Sequence, residues 1–157
     1  ANPFAFDWKY EPAEGVARYM CGTPPVLSMS ALECGVDMMI AANVDALREK
    51  SLHLTDLFIA AVEQLCAGYP LRLATPRDRA IRGSQVSFHH PEGYAVMQAL
   101  IANQVIGDFR APDIIRFGFT PLYPRYTDVW DAALTLKRIL DTQAWDRPEW
   151  KQRKKVT

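Results

Sequence analysis

The chain has 157 residues, enough for one domain with a core of its own, and its 49% hydrophobic and 23% charged residues read as soluble and globular. Lysine plus arginine equals aspartate plus glutamate, 18 each, so no net charge draws it to nucleic acid or to an anionic membrane. No apolar run reaches the ~18 residues of a membrane span. The cysteines at 21, 34 and 66 match no zinc or CxxC spacing and are expected to be reduced structural thiols of a cytoplasmic protein.

Residues 1–22 are rich in aromatics, proline and glycine and are expected to be irregular or partly extended. The opening "ANPFAFDW" lacks an initiator methionine and is expected to be a processed or truncated start. The stretch "GTPPVLSMSALECGVDMMIAA" is predicted helical from Pro24 or Pro25, with Thr23 as N-cap. "NVDALREKSLHLTDLFIAAVEQLCAGY" is the strongest helix. Asn43 can cap it, Leu47, Leu54, Leu57, Phe58, Ala61, Val62 and Leu65 share one face, and Gly68 ends it.

Strands are predicted at "LRLAT", "SQVSFHH", "VIGDFR" and "DIIRFGF". A helix, "PEGYAVMQALIANQ", lies among them with Tyr94, Met97, Leu100 and Ile101 inward. The last helix, "TDVWDAALTLKRIL", turns Val129, Trp130, Ala133, Leu134, Leu136 and Leu140 inward. Strands grouped with helices, without regular βαβ alternation, predict an α+β domain: a small open sheet with helices packed on one face.

Few residues carry chemistry. Period two places Ile115, Phe117 and Phe119 on one face of a strand and Ile114, Arg116 and Gly118 on the other. If the aromatic face meets the helices, Arg116 lies on the uncovered face. Its planar fork suits a carboxylate or phosphate; the alternative is a local salt bridge to Asp108 or Asp113. Thr23 can cap its helix or contact an anion at the helix start, where Pro24 and Pro25 withhold two N–H donors. Adjacent His89 and His90 face opposite sides of a strand, so no metal site is expected. Ser84, Ser87 and Cys66 have no evident base, Asp108 and Arg110 read as structural or cleft-lining, and the basic "KQRKKVT" reads as a solvated tail.

Five phrases in order, "CGTPPVLSMSALECGVDM", "LREKSLHLTDLFI", "RGSQVSFHHPEGYAVMQALI", "QVIGDFRAPDIIRFGFTPLY" and "DVWDAALTLKRIL", resemble the C-terminal portion of the kynureninases. The resemblance runs from about Tyr10 to the C-terminus. It implies an aminotransferase-like fold whose small, mostly antiparallel C-terminal domain spans 43–157, preceded by the end of the cofactor domain and a connecting helix at 1–42. It also implies a homodimeric, cytoplasmic, pyridoxal 5'-phosphate-dependent hydrolase of tryptophan catabolism and NAD biosynthesis. Such an enzyme cleaves L-kynurenine to anthranilate and L-alanine. By the same resemblance, Arg116 binds the substrate α-carboxylate. Thr23 contacts the cofactor phosphate of the neighbouring subunit, and Gly22 lies near the substrate ring. No lysine here has the context of the Schiff-base lysine, so no catalytic residue is assigned and the chain is expected to be inactive by itself. The small domain of a related lyase, such as a cysteine desulfurase, and a free-standing ligand-binding module are the competing readings.

Overall fold

The computed structural model describes residues 8–20 and 22–152. Phe4, Phe6, Cys21 and the end of the basic tail, with Lys154 and Lys155, lie outside the described residues. The chain divides into two compact units, residues 1–43 and 44–157.

In the first unit a short 3-10 turn, Gly15–Tyr19, precedes helix α1, Val26–Ala41. The N-cap of α1 is Pro25, in extended conformation, so the expected Thr23 cap does not form. The reason is local. A residue before proline is pushed out of the helical region, and the Pro24-Pro25 pair applies this to Thr23 and Pro24 in turn. The helix therefore begins only after Pro25. No side chain of α1 is buried, and Leu27, Leu32, Met38 and Ile40 are more than half exposed.

The second unit opens with α2, Val44–Leu65, beginning directly after Asn43. It buries Leu54, Phe58, Ala61 and Val62, as its periodicity predicts, and also Ser51, Thr55 and Ile59. Gly68, at φ +92°, takes the left-handed conformation without a Cβ penalty in the turn that follows α2. Strands β1 (Arg72–Leu73) and β2 (Gln85–His89) follow, then α3 (Gly93–Ala102), β3 (Asp108–Arg110), β4 (Ile114–Gly118), α4 (Tyr126–Asp141) and α5 (Pro148–Lys151). The sheet is antiparallel throughout, in the order β1-β2-β4-β3. The strands are shorter than predicted. The ladder of β1 breaks because Ala74 and Thr75 both donate to the Ser87 carbonyl, at 2.9 and 3.4 Å, so two residues face one.

Val86, Phe88, Ile115 and Phe117 form the packed face of the sheet, each at most 4% exposed. Phe58 of α2 supplies the centre of the core, its ring centroid 4.7 Å from Phe117, 5.1 Å from Phe119 and 6.3 Å from Phe88. α3 packs against β4 and β3, and α4 packs against α2 and α3. Three predicted core positions are corrected: Ile101, Trp130 and Leu134 are exposed. In α4 the buried stripe is Val129, Ala133, Leu136, Ile139 and Leu140. At 100° per residue, Trp130 and Leu134 stand about 100° and 140° round the helix from Val129, outside that stripe.

Candidate functional site

The alternation that turns Ile115 and Phe117 into the core turns Arg116 onto the other face of β4. Antiparallel pairing aligns it with Ser87 of β2 on one side and Asp108 of β3 on the other. Directly opposed residues share a face. The three therefore form a row across the open face, with Gln85 and Gly118 paired one step along.

Arg116 is part-buried, its side chain 28% exposed, and its Nη2 is hydrogen-bonded to Asp108 Oδ2. The local acid foreseen as an alternative is thus Asp108, whereas Asp113 pairs with His89 Nδ1 at 3.0 Å. Arg116 Nε is buried with no hydrogen-bond partner among the described residues. An unmet buried donor costs about 1–3 kcal/mol, so this guanidinium is suited to a further acceptor. Arg110 Nη2 stands 3.4 Å from the same Asp108 oxygen. The Arg116 hydrogen bond, reinforced by the charges of both arginines, holds the Asp108 carboxyl below its ordinary range. Ser87 is almost fully buried; its hydroxyl accepts from Gln85 Nε2 at 3.0 Å and keeps its own proton to donate. A Cβ built on Gly118 would meet nothing within 4 Å, so the face is open there.

Behind this face, α2 fastens the loops that flank the two central strands. Ser51 and Ser84 share a hydroxyl bond of 2.7 Å, and Lys50 Nζ donates to the Pro121 carbonyl at 2.7 Å. Arg82 is buried against Asp56, which also pairs with Arg79, and donates to the Arg77 carbonyl at 3.2 Å. Sequence reasoning missed Arg82, because nothing in "RAIRGS" tells a buried arginine from a solvated one.

Thr23 and Gly22 lie in the first unit, both exposed. Gly22 is at φ +102° with open space around its Cβ position, so backbone and the Thr23 hydroxyl are accessible. With Pro24 and Pro25 following, two backbone N–H donors are missing from this turn. His90 is buried; its Nδ1 accepts from the Glu92 N–H at 3.1 Å, which puts the ring proton on Nε2, and its ring meets Trp145 edge-on. Burial pushes the Cys66 thiol up to about 11, which makes it inert as a nucleophile. Among the described residues no three His, Cys, Asp or Glu side chains group to hold a metal ion.

Residues 47–136, which include β4 and Arg116, match the kynureninase C-terminal domain. The chain belongs to this family. It is 59% identical over 155 residues to the kynureninases of Burkholderia mallei (strain SAVP1) and Burkholderia pseudomallei (strain K96243), covering 99% of this chain and 37% of each relative. To the kynureninase of Pseudomonas fluorescens it is 55% identical over 157 residues, covering all of this chain and 38% of the relative. The chain thus spans little more than a third of the length of the curated kynureninases it matches.

Proposed function

We propose that this chain is the C-terminal part of a kynureninase that hydrolyses L-kynurenine to anthranilate and L-alanine in the cytoplasm. Its small domain contributes substrate contacts, and its remaining machinery is carried by a cofactor domain. The observation that carries this reading is the identity of 55–59% to kynureninases over essentially the whole chain. It favours this family over a cysteine desulfurase and over a free-standing ligand-binding module.

Within that enzyme, Arg116 takes the α-carboxylate of the substrate. Its support is its place on the uncovered face beside the open space at Gly118, with a buried Nε that no described acceptor meets. When bound, pyridoxal 5'-phosphate would supply the electron sink that stabilises negative charge at the substrate's α-carbon, while the bond broken to give alanine and anthranilate is the one between the β-carbon and the ketone carbon. Thr23 offers its hydroxyl to the phosphate of that cofactor in a neighbouring subunit, and Gly22 leaves room for the substrate ring. The exposed apolar residues of α1 support contact with further protein, either the cofactor domain or a second subunit of a homodimer.

The described lysines support inactivity of the chain by itself. A lysine that bonds a cofactor through its amine must lose its proton near neutral pH. Lys137 and Lys151 are pushed the other way by hydrogen bonds to Asp141 and Asp146. Lys50 is committed to the Pro121 carbonyl, and Lys9 is exposed. The test compares anthranilate release from L-kynurenine by the full-length protein and by this chain, each with added cofactor. Release by the full-length protein alone is expected. No release by the full-length protein, or turnover by the isolated chain, overturns the reading.

A further inference from the structure

Asp108 sits between two guanidinium groups, hydrogen-bonded to Arg116 and ion-paired with Arg110. One carboxylate thus serves two arginines, and the trio carries a net charge of +1. The hairpin builds this arrangement directly. Asp108 pairs with Arg116, Phe109 with Ile115 and Arg110 with Ile114, a register symmetric about Pro112. Phe109 turns inward to meet the Tyr94 ring edge-to-face at 5.5 Å, which fixes the pleat and so fixes Asp108 outward. Asp108 grips Arg116 by Nη2 only. Among the described residues Nη1 has no hydrogen bond, and Nε is buried without one.

We infer that Asp108 is a positioning residue for carboxylate binding: it holds Arg116 by Nη2 so that Nη1 stays presented, while Arg110 keeps the cluster singly positive and ready for one carboxylate. The inference rests on the reading of Arg116 as the substrate-carboxylate ligand. Two simpler roles give different outcomes. If Asp108 merely competed with the substrate carboxylate for Arg116, its removal would tighten substrate binding. A purely structural salt bridge at an exposed edge strand would leave binding unchanged.

The test uses the full-length protein with L-kynurenine as the probe. Asp108→Ala is expected to raise KM by about tenfold, the cost of one lost charge-assisted hydrogen bond, with kcat changed much less. Asp108→Asn keeps an acceptor oxygen for Nη2 and is expected to restore KM to within about threefold of the parent. Asp108→Ala placed on Arg116→Ala is expected to add nothing, because the two act as one unit. Arg110→Gln, a change at an exposed side chain, is expected to raise KM about two- to fivefold and to flatten its dependence on ionic strength. An unchanged or lowered KM in Asp108→Ala, failure of Asp108→Asn to rescue, or full additivity with Arg116→Ala overturns the positioning role. If Arg116→Ala itself leaves KM unchanged, the assignment of Arg116 has failed and the positioning role with it. A KM raised by Arg116→Ala but not by Asp108→Ala removes only the positioning role.

Discussion

The two faces of the sheet come from the same few residues, yet they are different materials. On one side Val86, Phe88, Ile115 and Phe117 are sealed against Phe58 and α3. On the other, at the next positions of the same strands, Ser87, Arg116 and Asp108 form a polar row with open space at Gly118. A strand has a period of two, so one face can hold the fold while the other is left to chemistry. Substitutions one residue apart should therefore fail in different ways.

The largest break is expected on the packed face. Phe88, 1% exposed and in contact with the Phe58 ring, should cost about 3–5 kcal/mol as Phe88→Ala, a cavity at the centre of the core. Chemical denaturation of the second unit reads this directly. A loss below about 1 kcal/mol would mean that the core closes over the gap.

Gly107 sharpens the comparison because it sits against both the buried Met97 and the backbone of Arg116, the residue whose side chain serves the open face. A Cβ there would stand 2.6 Å from the Arg116 carbonyl oxygen and 2.6 Å from Met97 Cε. Methionine can give way, but the backbone of β4 cannot move without moving Arg116. Gly107→Ala is expected to cost about 1–3 kcal/mol by overpacking and, in the full-length protein, to raise KM as well. Wild-type stability and kinetics in this variant would show that β4 does not couple the two faces.

The smallest effect concerns pH. Burial lowers the pKa of His90 in the folded state, and the nearby Glu92 charge opposes this only in part. The unfolded chain then binds a proton at His90 more readily than the folded one. The stabilisation is present above the unfolded value of about 6.5 and is lost as pH falls through the folded pKa. Tm should decline modestly from pH 7 to pH 5. His90→Asn, which keeps an acceptor for the Glu92 N–H, should flatten that decline. An unchanged slope in the variant would assign the loss to other groups.

Much of this was legible in the chain. The spacing of Leu54, Phe58, Ala61 and Val62 announced α2, Gly68 its end, and the alternation around Arg116 which side chains turn away from the core. Trp130 and Leu134 were misread because counting every apolar residue in α4 widens the buried stripe beyond what packing uses. Thr23 failed as a cap because proline geometry acts on the residue before it, an effect weaker in the eye than a threonine at a helix start. Asp108 was in view as one of two possible salt-bridge partners of Arg116, beside Asp113. Which of the two it would be depends on hairpin register, which becomes readable only once the turn is centred on Pro112. Arg82 had no sequence signal, since its burial is set by Asp56 of α2, 26 residues away.

The comparison of faces comes down to two adjacent residues, Arg116 and Ile115, changed singly to alanine in the full-length protein, with Tm and kcat/KM for L-kynurenine measured on the same preparations. Ile115 is fully buried, and Ile115→Ala should lose about 2–5 kcal/mol of stability. Arg116→Ala should keep its Tm close to the parent and lose kcat/KM by tens-fold or more, the roughly 2–5 kcal/mol of a partly desolvated carboxylate pair. Arg116→Lys should recover only part, since an ammonium lacks the planar fork. An Arg116→Ala protein that melts as early as Ile115→Ala yet keeps its kcat/KM while folded would contradict the account, making Arg116 a strut of the sheet and its pair with Asp108 a structural salt bridge.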